Sequence, residues 1–229
     1  MKNLVRTILV MILAAAASSC SKDTVAPVST LPTSPEAQSA DDSKSGGVYK
    51  GTIVGSSGVL KIVLQKGVKE IQMTISGVSK TLTTTSLDTW TSGEIIRNAL
   101  FTKDDWQVMF NVGAAGIGAS VTMTIPGHAS AEAILTKETS KAIVRVFEGT
   151  YTGSESGSWN FVIQGGALSG ISRSTGGLTT TSFVGLVNGT VITLDSIQGS
   201  GTISGDNASG TWVGSSPDIN GTWTGKRIL

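Results

Sequence analysis

The feature that most constrains the fold is a five-residue pattern, Gly-x-apolar-x-Gly, that recurs through the second half of the chain. Six copies occur there, centred on Tyr151, Leu168, Val187, Ile203, Trp212 and Trp223. In a strand, residues i, i+2 and i+4 share a face, so each copy places one apolar side chain between two glycines. Glycines within strands permit bending and close backbone approach, as at the corners of a barrel. The pattern therefore predicts short, curved strands.

Turn residues separate these strands at the spacing of a meander. Gly165-Gly166, Asn188-Gly189 and Asn220-Gly221 are pairs that favour tight hairpin turns. About eight strands fit between residues 147 and 228. Sequential hairpins of this kind predict an antiparallel meander that is closed, or nearly closed, into a small barrel.

The first half of the chain repeats the second. Residues 48–56 align with 146–154, and the string Leu-Thr-Thr-Thr-Ser at 82–86 recurs unchanged at 178–182. Order and spacing are both kept, which indicates a duplication. We therefore expect an all-β protein with two tandem, related, barrel-like domains.

The predicted domain boundaries follow from this repeat. The first domain spans 46–145 and the second spans 146–229. Strands of the first domain are predicted over 48–54, 60–65, 70–75, 95–102, 106–112, 120–125 and 131–136.

The N-terminal residues read as a signal peptide over 1–19. Lys2 and Arg6 form a positive start, and an apolar run over 7–17 follows. That run is too short for a membrane-spanning helix, which needs about 20 residues. An integral outer-membrane barrel is also disfavoured, because its strands need about 9–11 residues and girdles of aromatic side chains.

The stretch Ala17-Ser18-Ser19-Cys20 resembles the lipobox of bacterial lipoproteins, and Cys20 is the single cysteine of the chain. The resemblance implies that Cys20 is lipidated and becomes the first mature residue. The alternative is ordinary secretory cleavage beside a coincidental cysteine. A residue other than Asp after the cysteine, here Ser21, resembles the signal for the outer membrane. Residues 20–45 are rich in Pro, Ser and Thr and are predicted to form a disordered tether behind the anchor.

A second resemblance concerns the folded part. Residues 149–153, 157–163 and 166–170 look like the opening hairpin of avidin-like and lipocalin-like barrels, which begin with a Gly-x-aromatic strand. Lys226 and Arg227 match their habit of placing a basic residue in the last strand. This resemblance implies a small barrel and does not specify a ligand.

Composition narrows the function classes. The formal net charge is +1, and it falls to −1 when Lys2 and Arg6 leave with the signal, so no basic field for nucleic acid exists. One cysteine cannot form a disulfide within the chain. His128 is the single histidine and is expected in a loop without a catalytic role. The adjacent acids Asp104 and Asp105 are expected in a turn. We therefore expect no enzyme, no metal site and no cofactor.

The aromatic residues of the second domain are the candidate binding residues. Tyr151, Trp159, Trp212 and Trp223 either fill the barrel core or face a small ligand, since an eight-stranded barrel has room for either. The expected function is the binding of a small apolar ligand, or of a partner in the envelope, by a protein lipid-anchored at the outer membrane. The alternative is a structural or interaction protein with solid barrels, and a hydrolase with an unrecognised site comes third.

Overall fold

The computed structural model describes residues 31–195 and 197–229, so the predicted signal peptide and Cys20 lie outside the described residues. The described residues contain sixteen strands and one short 3-10 helix, Ser39–Asp41. The first eight strands are β1 Gly47–Val54, β2 Gly58–Gln65, β3 Val68–Ile75, β4 Val78–Thr83, β5 Ile96–Lys103, β6 Trp106–Val112, β7 Ser120–Thr124 and β8 Glu132–Glu138. The other eight are β9 Val144–Gly153, β10 Gly157–Gln164, β11 Ala167–Ser174, β12 Thr180–Asn188, β13 Val191–Leu194, β14 Gln198–Ser204, β15 Asn207–Val213 and β16 Asn220–Arg227.

The predicted fold class is confirmed: the chain forms two eight-stranded antiparallel sheets with the shape of barrels. In the second sheet each strand pairs with the next, and β16 pairs with β9, which closes the barrel. In the first sheet β1 pairs with both β2 and β8, while β7 pairs with β6 and not with β8. The first barrel therefore has a seam between β7 and β8.

The strand β4 is absent from the seven strands predicted for the first domain. Its sequence, Val-Ser-Lys-Thr-Leu-Thr, buries Leu82 alone, so the alternation that marks a strand is weak. The pairing of Leu82 with Ile71 on β3 places it in the first core.

The repeat in the sequence is visible in the first hairpins of the two sheets, β1–β2 and β9–β10. The repeated string Leu-Thr-Thr-Thr-Ser is different. Leu82 is buried within β4, whereas Leu178 is 77% exposed and precedes β12. This second match therefore does not mark structurally equivalent positions.

In the structure, the central side chains of the Gly-x-apolar-x-Gly pattern point into the barrels. Tyr151, Trp212 and Trp223 all belong to the second core. The flanking glycines make room for large rings. A Cβ added to Gly170 would lie 2.0 Å from Cζ of Phe183, and one added to Gly201 would lie 2.3 Å from Cζ2 of Trp223. The glycines thus accommodate the aromatic filling of the barrel.

The outer faces of the two sheets also meet, so Leu31–Leu229 form one compact unit. All eight residues of β1 are buried, the inward ones in the first core and the outward ones against β9 and β10. Val144, Val146 and Val162 form a separate apolar cluster there. Asn160 donates from Nδ2 to the carbonyl of Ile53, at 2.6 Å, across this interface. The interface is therefore both apolar and hydrogen-bonded.

A fully buried ion pair reinforces the same region. Nζ of Lys50 lies 2.8 Å from Oε2 of Glu138, and both side chains are 0% exposed. The same carboxylate oxygen accepts the backbone N–H of Val144, and Oε1 accepts the N–H of Glu36. Every charged atom of this buried pair is engaged, which is the condition under which a buried charge is tolerated.

The segment 31–45, which composition assigned to the tether, lies against the first sheet. The backbone N–H of Glu36 donates to Glu138 at 2.6 Å, and the carboxylate of Asp42 accepts the N–H and the hydroxyl of Ser140, both at 2.7 Å. Its Pro- and Ser-rich composition cannot build a core of its own, but its polar groups find partners on β8 and on the link that follows β8. Ordered structure therefore begins upstream of the predicted start of the first domain.

Candidate ligand site at the mouth of the second barrel

Three aromatic side chains converge at one end of the second barrel. Tyr151 on β9, Trp159 on β10 and Trp212 on β15 all point inward. The ring of Tyr151 lies edge-on to both indoles, with centroids 5.7 Å from Trp212 and 6.0 Å from Trp159. Such edge-to-face pairs are favourable for aromatic rings. The three rings form the floor of the site.

A cavity of about 200 Å³ opens above this floor. The backbone of the surrounding loops, Ile197 and several hydroxyl groups complete its wall. The lining residues are Tyr151, Glu155, Trp159, Ser172, Ser174, Thr179, Thr181, Ile197, Trp212 and Gly214. The cavity therefore combines an apolar base with a polar rim, which is the usual build of a small-molecule site.

Polar atoms of the floor are held by protein partners. The hydroxyl of Tyr151 lies 3.0 Å from that of Ser174, and Nε1 of Trp212 donates to the carbonyl of Thr152 at 3.2 Å. These bonds fix the orientation of both rings. A ligand would therefore meet preoriented ring surfaces.

Trp223 does not line this cavity. It lies one layer deeper, 1% exposed, with its ring stacked 5.9 Å from Trp159. Phe183 stacks on the same indole at 4.2 Å, and Phe161 and Phe147 stack on each other at 4.8 Å. The barrel is thus packed with rings beneath the mouth. Of the four candidate residues from the sequence, the structure brings three together around the cavity and places the fourth in the core.

His128 has a partner that the sequence did not reveal. Its Nδ1 lies 2.5 Å from the hydroxyl of Ser56, 72 residues away, in the β1–β2 turn. A Ser-His-acid triad also needs a carboxylate on the other ring nitrogen, and the described residues supply none there.

Asp104 and Asp105 lie in the β5–β6 turn, 3.1 and 3.2 Å from Nζ of Lys80. The two acids therefore form an ion-pair cluster with Lys80 at an exposed turn.

Another cavity, of about 500 Å³, lies where the loops of the two sheets meet. Its buried cation, Arg173, is already engaged. The guanidinium donates to the carbonyl of Ser130, to Glu132 and to the hydroxyl of Thr180. Arg173 therefore ties the two sheets together and has little capacity left for a ligand.

Within 31–195 and 197–229, no group of three or more His, Cys, Asp and Glu side chains is arranged to hold a metal ion. Over the same residues, no helix has the length and apolar character needed to span a membrane. Comparison with protein-family models, with curated proteins and with solved structures finds no match to this chain.

Proposed function

We propose that this chain is a lipid-anchored protein of the bacterial cell envelope whose second barrel binds a small apolar ligand. The observation that carries the binding role is the cavity floored by Tyr151, Trp159 and Trp212. The anchor is proposed from Cys20, the single cysteine, at the end of a lipobox-like stretch. Two or more acyl chains on that residue would hold the protein stably on a membrane.

The size of the cavity limits the ligand. About 200 Å³ is below the roughly 300–1,000 Å³ of sites for drug-sized molecules. The rings below the mouth prevent deeper entry. The ligand is therefore a single ring, or the apolar end of a longer molecule, and the hydroxyl groups of Ser172 and Thr181 at the rim favour one or two polar substituents.

A structural or interaction protein is the second candidate, and one observation favours it. The three floor residues, Tyr151, Trp159 and Trp212, are each at most 7% exposed, so most of their surface packs against other side chains within the barrel. In that case the cavity is a surface depression that no ligand occupies.

Ligand titration monitored by tryptophan fluorescence separates the two candidates. The probes are small uncharged aromatic and aliphatic compounds such as toluene, cyclohexanol and hexanol, which do not emit at the tryptophan wavelength. Ser172→Leu would fill the cavity, while Ser169→Leu is the matched control, because Ser169 lies on the outer face of the same strand. We expect saturable fluorescence changes in the wild type and in Ser169→Leu, and none in Ser172→Leu. Circular dichroism verifies that both variants are folded. A wild-type protein that responds to no probe, or a response that survives Ser172→Leu, contradicts the binding role.

Cell fractionation tests the anchor independently. Replacing the Cys20 thiol by Cys20→Ala removes the attachment point for acyl chains, so we expect the protein to move from the membrane fraction to the soluble fraction. An unchanged distribution of Cys20→Ala between the fractions after a high-salt wash, which removes electrostatic membrane binding, argues against lipidation.

A further inference from the structure

The opposite end of the second barrel carries a different cavity. It has a volume of about 460 Å³ and lies between the start of β9, the β10–β11 turn and residue Thr33. Its lining residues are Thr33, Lys141, Ala142, Ile143, Arg145, Ile163, Gly165 and Gly166. The cavity thus contains two cationic side chains, a hydroxyl group and an apolar wall.

Neither cation of this cavity forms a direct ion pair. Lys141 is exposed and Arg145 is half-buried, and neither has a carboxylate within 4.0 Å among the residues that the structure describes. A third cation, Arg227, lies close by. Burial lowers the pKa of Arg227, the negative charges of Asp206 and Glu138 raise it in part, and the positive charge of Arg145 lowers it further. The end of the barrel therefore has an excess of positive charge.

The acidic groups nearby are engaged elsewhere. Asp42 accepts two hydrogen bonds from Ser140, although its charge also acts on Lys141. Glu138 is buried against Lys50, and Asp206 lies 3.7 Å from Arg227. Of the three cations at this end of the barrel, Lys141 and Arg145 therefore have no ion-pair partner among the described residues.

The described chain begins at this end of the second barrel. A guanidinium nitrogen of Arg227 donates to the carbonyl of Pro32, so the described chain begins beside the same cavity. Cys20 lies eleven residues before Leu31, and eleven residues span at most about 40 Å. The attachment point therefore restricts how far this end can move from the membrane.

We propose that Lys141 and Arg145 bind the phosphate of an anionic phospholipid headgroup in the membrane that holds the anchor. Guanidinium and ammonium groups form charge-assisted hydrogen bonds with phosphate oxygens. Ile143 and Ile163 line the same cavity and supply an apolar wall for the first methylene groups of the acyl chains. Such contacts orient the barrel, with its cationic end on the membrane and the aromatic cavity facing away from it. The proposal rests on the lipid anchor and is independent of what the aromatic cavity binds.

Vesicle co-sedimentation of the Cys20→Ala chain tests this proposal without help from acyl chains. The vesicles consist of phosphatidylcholine with or without phosphatidylglycerol. The test variant adds Lys141→Ala and Arg145→Ala, and the control adds Lys103→Glu, an exposed first-sheet residue whose reversal changes the net charge by the same amount. All three chains keep residues 1–19, so any contribution of that segment cancels.

We expect binding to the anionic vesicles to fall about 25-fold in the double-alanine variant, since each basic side chain near an anionic surface adds about fivefold. The Lys103→Glu control should bind as the parent chain does. Equal binding by all three chains, or equal losses in both variants, overturns the site. Calorimetric binding of inorganic phosphate to the parent chain, with no greater sedimentation on the anionic vesicles than on phosphatidylcholine alone, shows a site for free phosphate instead and overturns the lipid assignment. If Cys20→Ala is released from cell membranes but all three chains bind the vesicles equally, the lipid-anchor proposal is supported and only the headgroup site is rejected.

Discussion

Gly170→Ala tests whether the second barrel needs glycine at positions where an aromatic ring packs directly against the backbone. Gly170 on β11 lies directly opposite Phe183 on β12. An added Cβ would lie 2.0 Å from Cζ and 2.2 Å from Cε2 of that ring. Phe183 is 1% exposed and stacks on Trp159 at 4.2 Å, so the ring has no free space into which to turn. The added methyl group must therefore displace packed side chains.

The expected cost of Gly170→Ala follows from the overpacking of a filled core, about 1–3 kcal/mol. For a protein of this size that corresponds to a decrease in Tm of about 2–12 °C. Gly225→Ala is the matched control, because Gly225 is also buried in a strand but its added Cβ would lie 3.5 Å from the nearest atom, on Phe161. At Gly225 the lower entropy of the unfolded chain should leave stability unchanged or raised by up to about 1 kcal/mol. Urea unfolding followed by circular dichroism measures both free energies.

A double mutant then isolates the contact between the methyl group and the ring. Phe183→Leu alone should destabilise the barrel by leaving a cavity against Trp159. Combined with Gly170→Ala, the loss should be smaller than the sum of the two single losses by about 0.5–3 kcal/mol, because the methyl group then occupies space that the ring has left. Strictly additive losses, or a Gly170→Ala protein as stable as Gly225→Ala, would refute the reasoning.

Two further predictions concern the buried charges between the sheets. Lys50→Met leaves the carboxylate of Glu138 buried without its cation, so we expect a loss of about 3–5 kcal/mol in urea unfolding, and a loss below about 1 kcal/mol would contradict this. Burial raises the pKa of Glu148 above its ordinary value of 4.5, and the backbone N–H of Gly58 lowers it only in part. The folded state then holds this proton more tightly than the unfolded state, so Glu148 reduces stability as the pH rises above about 4.5. Glu148→Gln should therefore show a Tm advantage over the wild type that is absent at pH 4 and present at pH 7, and an advantage independent of pH would disprove this cause.

Inward and outward positions within the strands could be predicted from the sequence because they depend on local periodicity. Side chains alternate along a strand, so the glycines two residues before and after Trp212 lie on the same face as its indole, and the same holds for Trp223. The structure places both indoles in the second core. The same reasoning fails for β4, where Leu82 is the single buried side chain and gives no period to detect.

Burial on the outer face could not be predicted in this way. Lys50 alternates with Tyr49 along β1 and would be assigned to solvent in an isolated barrel. It is 0% exposed because the second sheet covers that face. Its partner Glu138 is 88 residues away. No local pattern carries that information, because the interface brings together outer faces of strands from both halves of the chain.

For the candidate site, the sequence predicted which face of the strand each aromatic side chain occupies but not how deep in the barrel it lies. Periodicity selected Tyr151, Trp159, Trp212 and Trp223 as inward residues but did not give their depth. Depth depends on the register between neighbouring strands. Trp223 pairs with Tyr151 across β16 and β9, yet its ring lies over Gly201 and Gly210 and therefore extends into the core. The ring of Trp212 instead lies over Gly221 and reaches the cavity.

The seam of the first sheet shows how two copies of one unit reach different barrels. β7 has five residues and ends just before Ile125-Pro126-Gly127, where proline has no N–H to continue a ladder. Its end leaves β8 paired on one side only. In the second sheet, β9 has ten residues and pairs with β10 along one edge and with β16 along the other. The strands that meet at the join are thus longer in the second sheet than in the first, and the fully closed barrel is the one whose mouth forms the aromatic cavity.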